Sequence, residues 1–494
     1  MADLIKKYDP VIEKAEFVFQ LLFFIYICLG FNNLTIGTKI IPFFMWPAFL
    51  LGAALVALRL IDLRSFRGFP GLLPLAGLCA VCAVSIFVNR QYSVKENLVY
   101  LIFWIFNFFL LYASPRRRSP GLLQKRFAFF FHLFCAVAFV LTVISFVMLA
   151  VGYAGYFTVN GEEVRRGFLG GRLFGAYQTP NAGAVIGALA IVGGIHYARV
   201  YKNKWYTLWA ALSGLLQFVF SVFADSRTGR VTLGAALGVY FFFVLYGKRR
   251  EAGAAAKAWK TALIAVFAVV IAAGGFFLPK AAELSYNVVA RSLQTAETGE
   301  SSDQKVSDET KEKDEVLILG RKESLEGDYS NRRFDFWKSG LEIFAARPVL
   351  GVTFRGFLPF AEAYLPETYL VNNTFKRIST LDNDVINLMV SDGALGLLFF
   401  VIFVAGVLVR LFRWLHAQKK QNAALPTALP MLLAVCAGAA ASSLFSSGVF
   451  YMHCQYSFLF WLALGICMRF CMSGTEKETE GDAEETPKEE ASHD

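Results

Sequence analysis

The chain has 494 residues, 56% hydrophobic and 16% aromatic, with 50 phenylalanines, and its mean hydropathy is +0.50. A water-soluble domain has no core large enough to hide that much apolar surface, so the sequence reads as a polytopic membrane protein. The net charge of +10 does not call for nucleic acid, because much of it sits in short juxtamembrane loops, where it sets orientation and meets membrane lipids.

Runs long enough to cross a hydrocarbon layer of about 30 Å fall near 15–36, 40–60, 70–88, 97–113, 127–151, 182–199, 205–224, 230–246 and 261–279, then 391–409, 427–447 and 455–471. They predict an all-α polytopic fold of about twelve transmembrane helices. The first run is long enough to remain as a helix, so no cleavable signal peptide is expected.

Every second connection is basic, from Lys6, Lys7 and Lys14 through Arg116, Arg117 and Arg118 to Arg410, Arg413, Lys419 and Lys420. The positive-inside rule then puts both termini in the cytoplasm. The expected organisation is helices one to nine over 1–279, a large extracytoplasmic, partly helical loop over 280–382, helices ten to twelve over 383–472, and an acidic cytoplasmic tail over 473–494. Two polar segments, 295–315 and 473–494, are too poor in apolar residues to fold alone and read as disordered. Seven of the eight cysteines lie in or beside apolar runs, which is neither a disulfide framework nor a metal-ligand spacing, and only Cys454 falls near the outer face.

Arginines in outward-facing loops oppose the charge rule and need another explanation. The connection 152–181 holds Arg165, Arg166 and Arg172 among glycines, and Tyr177, Gln178 and Asn181 follow at the start of the next helix. This pattern suits an anion-binding loop, and it also suits a solvated hairpin. The turn DSRTGR sets Asp225, Arg227 and Arg230 at the bilayer edge, where an arginine either holds an anion or snorkels to headgroups.

Within the outer segment, NRRFDFWKSGLEIFAARP reads as an amphipathic helix ended before Pro348, with Phe334, Trp337, Leu341 and Phe344 as its apolar stripe. Arg333 lies four residues from Trp337 and shares its face, while Arg332 precedes it. Arginine suits a diphosphate because its planar fork donates in pairs and keeps its charge. The string LDND then places Asp382, Asn383 and Asp384 at the start of the returning helix. Carboxylates there serve either as a general base on a sugar hydroxyl or as ordinary helix caps. The sequence contains no glycine-rich phosphate loop and no zinc-type His/Cys cluster, so no cofactor is expected and the energy for any transfer comes with the substrate.

GAYQTPNAGA, DSRTG, RFDFWKSGLEIFAARPVLGVTFRGF and DNDVINLMVSDGALGL, in this order over about 175–400, resemble the O-antigen ligase and O-antigen polymerase family of bacterial envelope glycosyltransferases. The resemblance implies metal-independent transfer of a glycan from a polyprenyl-diphosphate-linked oligosaccharide donor to a glycan or lipid-linked glycan acceptor, at the outer face of the bacterial cytoplasmic membrane. It further implies that Arg227 and Arg333 hold the diphosphate; Arg332, Arg166, Arg172, Gln178, Asn181 and Asn383 are the substrate-binding candidates that their own placement suggests. The family often has His-Asn where this chain has Asp382-Asn383, so either Asp382 or Asp384 replaces the family's base or that base does not apply to this chain, with His453 a further outer-face candidate. Polymerase and ligase differ only in acceptor, which the sequence does not separate. A twelve-helix transporter or flippase of a lipid-linked glycan is the alternative, opposed by the absence of an internal repeat and by charge gathered at one face.

Overall fold

The computed structural model describes residues 7–159, 162–251, 258–298, 317–320, 332–373, 378–421 and 423–484. In chain order the first helices are α1 (Asp9–Gly30), α2 (Ile40–Ile61), α3 (Leu72–Val88), α4 (Val94–Phe106, continued by a π-helical turn Asn107–Tyr112) and α5 (Pro120–Ala150). An antiparallel meander of β1 (Gly155–Val159), β2 (Glu162–Leu169) and β3 (Arg172–Gly175) follows. Then come α6 (Pro180–Tyr201), α7 (Lys204–Phe223), α8 (Arg227–Glu251) and α9 (Ala258–Thr298). The outer segment contributes α10 (Arg333–Ala346), α11 (Phe357–Tyr364) and α12 (Tyr369–Asn372), and the chain ends with α13 (Asp384–Lys420), α14 (Leu429–Ser443) and α15 (Gln455–Glu484).

Every apolar run read from the sequence coincides with a helix. Among the described residues nine helices are long and apolar enough to cross a membrane, and α3 and α14 are shorter apolar helices. The first helix is 22 residues long and carries Asp9, Glu13 and Glu16 in its first half.

Three features differ from the sequence reading. The chain is not purely helical, because the connection after α5 forms the three-stranded sheet: Tyr156 pairs with Arg165, and glycines at positive φ, Gly170 and Gly171, make the β2–β3 turn. No boundary falls at 279/280, since α9 runs through Pro279 to Thr298 and its 41 residues span roughly 60 Å, twice the hydrocarbon thickness. The last helix continues to Glu484, into the segment read as disordered, where Glu and Lys are good helix formers. The rest of the two segments read as disordered, 299–315 and 485–494, lies outside the described residues.

The stretch of α15 from Gln455 to Met472 is buried on all sides, which fits its apolar residues on every face. Helices α14, α5 and α13 and the π-helical turn pack against it, and α8 packs in turn against α6, α9 and α14. Glycines set the closest of these approaches: a Cβ on Gly234 of α8 would stand 2.7 Å from the Ala272 carbonyl oxygen of α9, and one on Gly229 would stand 2.4 Å from Ala184 of α6. Such small-residue contacts replace the hydrophobic effect, which gives helices no reason to associate within lipid.

At the end of the bundle where α1 begins, Glu16 ties three elements together. Its carboxylate faces Arg59 of α2 at 2.8 Å, Arg118 of the α4–α5 connection at 3.2 Å and Arg126 of α5 at 3.7 Å. Asp9 adds Arg117 and Arg118, both at 2.5 Å. Glu16 and Arg118 are buried, so removing one partner leaves uncompensated charge in a low-dielectric site. Glu16→Ala is expected to destabilise the protein by roughly 3–5 kcal/mol, read as a lowered thermal midpoint in detergent; an unchanged midpoint contradicts this role.

Candidate functional site

The turn between α7 and α8 is held by side chains that aim the first residue of α8. Ser226 caps the helix, its Oγ accepting from Gly229 N at 3.0 Å and donating to Asn181 Oδ1 at 3.0 Å. The same Asn181 oxygen accepts from Arg172 Nη2 at 3.0 Å, while Arg172 Nε donates to the Ala224 carbonyl at 2.8 Å. Arg172 and Asn181 therefore brace the turn from the side of β3 and α6. Arg230 turns away toward Asp225, Glu283 and the Phe276 ring, and Lys280 bridges Asp225 at 3.9 Å and Glu283 at 2.5 Å. Arg227, half-buried, stands at the first turn of α8.

The outer helix α10 forms as read and stops before Pro348, but it buries a different face. Phe334 and Leu341 are exposed, whereas Arg333, Ser339, Gly340 and Ile343 are buried. The choice of face follows from two contacts with the returning chain: Gly340 lies where a Cβ would meet Ile386 at 2.9 Å and Leu381 at 3.0 Å, and Trp337 Nε1 donates to the Leu381 carbonyl at 3.0 Å. Arg333 is thereby pressed against the 378–384 turn, its Nε 3.7 Å from Asp382 Oδ2. Burial holds the Arg333 pKa below the usual arginine value, Asp382 opposes that shift, and Arg227 adds to it. The guanidinium remains charged regardless. Arg332, exposed at the helix entrance, faces Asp335 at 3.8 Å.

Arg333 and Asp382 thus pair from distant parts of the chain, and Arg227, from a third, is near enough for its charge to act on Arg333. Their neighbours have structural duties. Asn383 caps α13, its Oδ1 accepting from Val385 N at 2.8 Å and Ile386 N at 3.1 Å, while its Nδ2 donates to the Leu444 carbonyl at 3.1 Å. Asp384 is buried, and its Oδ2 accepts from Val449 N at 2.9 Å and Phe450 N at 3.3 Å, fixing the α14–α15 loop. Of the two carboxylates, Asp382 is the one beside the arginines.

Helix α13 is broken at Gly393 (φ 67°, ψ −163°), a conformation open essentially to glycine alone. The break frees backbone groups that the segment 348–353 takes up: Ala394 N donates to Pro348 O at 2.7 Å, Val352 N to Val390 O at 2.9 Å and Thr353 N to Ser391 O at 3.0 Å. Thr353 itself has φ 68°, an outlier for a β-branched residue, and its Oγ1 accepts from Asn97 Nδ2 at 3.0 Å. Four of the six non-glycine residues at positive φ among those described, Asp225, Arg332, Thr353 and Asp382, border this region. Strain gathered in one place is a mark of functional sites.

Next to that segment stands a polar group the sequence reading did not single out. Arg355 lies 5.5 Å over both the Tyr100 and Phe354 rings, its Nη2 donating to Tyr100 Oη at 2.9 Å and its Nε 3.9 Å from Glu96. Buried Asp392 accepts from Tyr451 Oη at 3.2 Å. The only signal for Arg355 was its position inside the string GVTFRGF; nothing in sequence ties it to Asn97 and Tyr100. His453 belongs to this group and not to the arginine pair. It stacks 3.3 Å from Phe103 and 4.9 Å from Tyr100, and burial, with Arg355 nearby, lowers its pKa to about 3.

The meander supplies the remaining expected residues. Arg165 pairs with Glu163 at 2.9 Å, and Arg166 lies 4.7 Å over the Phe157 ring. Tyr177 is buried, bonded to Thr142 at 2.8 Å and to the Ala138 carbonyl at 3.0 Å, while Gln178 is half-buried beside it. The sheet is strapped to the outer segment, because Gly320 N donates to Gly171 O at 2.9 Å and Leu319 exchanges two 2.8 Å bonds with Asn287 of α9.

Residues 212–401 match the family model described as O-antigen ligase. The match covers less than half of the chain and supports an O-antigen ligase family assignment. The matched stretch contains Arg227, Arg333, Asp382 and Asp384, whereas Arg166, Arg172 and Asn181 precede it. That match and the many apolar helices together indicate a multi-pass membrane protein, and the match points to envelope polysaccharide biosynthesis. No curated protein matches the chain.

Gly393→Ala is expected to cost more than the roughly 1–3 kcal/mol of backbone strain alone, since the new Cβ would stand 2.3 Å from the Val349 carbonyl oxygen. Thermal unfolding of the purified variant checks this, and a midpoint equal to the parent would show that the break is dispensable.

Proposed function

We propose that the chain transfers a glycan from a polyprenyl diphosphate carrier to an acceptor hydroxyl, as a polysaccharide polymerase or ligase at the outer face of the bacterial cytoplasmic membrane. The observation that carries this reading is the convergence of Arg227, Arg333 and Asp382, with Arg333 buried and 3.7 Å from the carboxylate. The chemistry follows from the charges. The acceptor oxygen attacks the anomeric carbon of the donor sugar, the bond from that carbon to the diphosphate oxygen breaks, and the carrier leaves as the diphosphate.

Negative charge grows on the departing diphosphate, so fixed cations lower the barrier most if they need no rearrangement. Arg227 is aimed by the Ser226–Asn181–Arg172 chain, and Arg333 by the packing of α10 on α13. Asp382 receives the proton of the acceptor hydroxyl, standing where the family often has histidine. Asp384 and Asn383 hold the turn that presents it. The basic loops at the other end of the helices support cytoplasmic termini.

The test is incubation of the purified protein with a polyprenyl-diphosphate oligosaccharide, with and without candidate acceptors. Lengthened carrier-linked glycan identifies a polymerase and a conjugate to another acceptor a ligase; movement across vesicles without transfer sinks the enzyme reading. Arg227→Ala and Arg333→Ala are each expected to lower transfer by at least about 100-fold with membrane insertion intact. Arg333→Lys recovers little, because a lysine donates no paired fork. Asp382→Asn should lower turnover with membrane insertion intact, and wild-type rates in that variant would remove the carboxylate from the mechanism.

A further inference from the structure

Helices α8 and α13 both start at the arginine cluster, so their C-terminal ends lie together on the opposite face of the bundle. There they enclose an open groove of about 690 Å³ between Tyr246 of α8 and the last turns of α13. Its apolar wall is Tyr246, Phe412 and Leu415, and its rim carries Arg413, Lys419 and Lys420. Among the described residues no carboxylate lines it and none of those three cations has an ion pair. Trp414, on the far side of α13, is buried and stacks on Phe470 of α15, which fixes the groove-bearing face outward.

The groove does not end at its rim. Leu398, Ile402, Val409 and Phe412 are exposed at helical spacing and form an apolar stripe that runs along α13 into it. An occupant must therefore be amphiphilic, with an anionic end against the cations and hydrocarbon on the stripe. The acidic segment 473–494 satisfies the first condition only, since it contains no large apolar side chain to cover Phe412 and Leu415.

We propose that this groove binds an anionic phospholipid of the membrane leaflet opposite the arginine cluster, its phosphodiester headgroup among Arg413, Lys419 and Lys420 and its acyl chain along the stripe. Basic pockets between helices at a membrane surface hold such headgroups by attraction to the phosphate, each cation strengthening binding about fivefold near the surface. The site is separate from glycan transfer and does not depend on that reading.

The experiment is native mass spectrometry of the full-length protein in detergent, titrated with dioleoyl phosphatidylglycerol, with dioleoyl phosphatidylcholine of identical chains, and with inorganic phosphate. Selective retention of phosphatidylglycerol is expected, falling roughly 100-fold in Arg413→Gln/Lys419→Gln/Lys420→Gln. Phe412→Ala should also weaken it, since the chain loses part of its track. Equal retention of both phospholipids, undiminished retention by the triple variant, or binding of inorganic phosphate as tight as that of the phospholipid would each overturn the proposal. A synthetic peptide of residues 473–494 that displaces the phospholipid at equal concentration would instead assign the groove to the tail.

Discussion

The break in α13 at Gly393 is the constraint on which the outer half of the molecule depends. A continuous helix there would satisfy its own backbone and leave the segment 348–353 with nothing to pair with. The break turns four residues of the helix into partners for that segment, and so stitches the outer segment into the bundle by main-chain bonds. Irregular backbone at membrane depth is tolerated only where protein satisfies it, and here each side satisfies the other. From that seam α10 is laid across the 378–384 turn, and Arg333 reaches Asp382.

The arrangement holds like charges close together at a cost that the surroundings absorb. Arg227 and Arg333 repel each other, and Arg333 is desolvated as well, yet Asp382 and the bracing of both helix starts keep them in place. Positive φ at Asp225, Arg332, Thr353 and Asp382 adds strain at the turns that present these side chains. Cations fixed in this way would need little reorganisation to meet a multiply charged anion, as the proposed transfer requires. The remaining expected residues divide by duty: Arg172, Asn181, Asn383 and Asp384 hold backbone, and so they act on the site through its geometry.

Much of the architecture was legible because period and length are local properties. Each apolar run became a helix, α10 ended before Pro348, and α13 began at Asp384 behind its Asn383 cap. What local pattern misjudged was orientation. The Phe334, Trp337, Leu341 and Phe344 stripe looked like the packing face, but Gly340 allows the closest approach, and that approach turned the helix so that Arg333 went inward and Phe334 and Leu341 outward. The connection after α5 read as a loop because its glycines and arginines mask a short meander whose register depends on pairing.

The sequence by itself determined that this is a multi-helix membrane protein with cations gathered at turns on one face, because hydrophobicity, charge placement and capping are written residue by residue. It also brought Arg227, Arg333 and Asp382 forward, since charge at an apolar boundary demands a reason. Only the tertiary structure decided that these three meet, that Asp384 and Arg172 are spent on backbone, and that Arg355 joins Tyr100 and His453 instead. Those outcomes rest on contacts between elements far apart in the chain, and the spacing of residues along one element carries no information about which face a distant helix will cover.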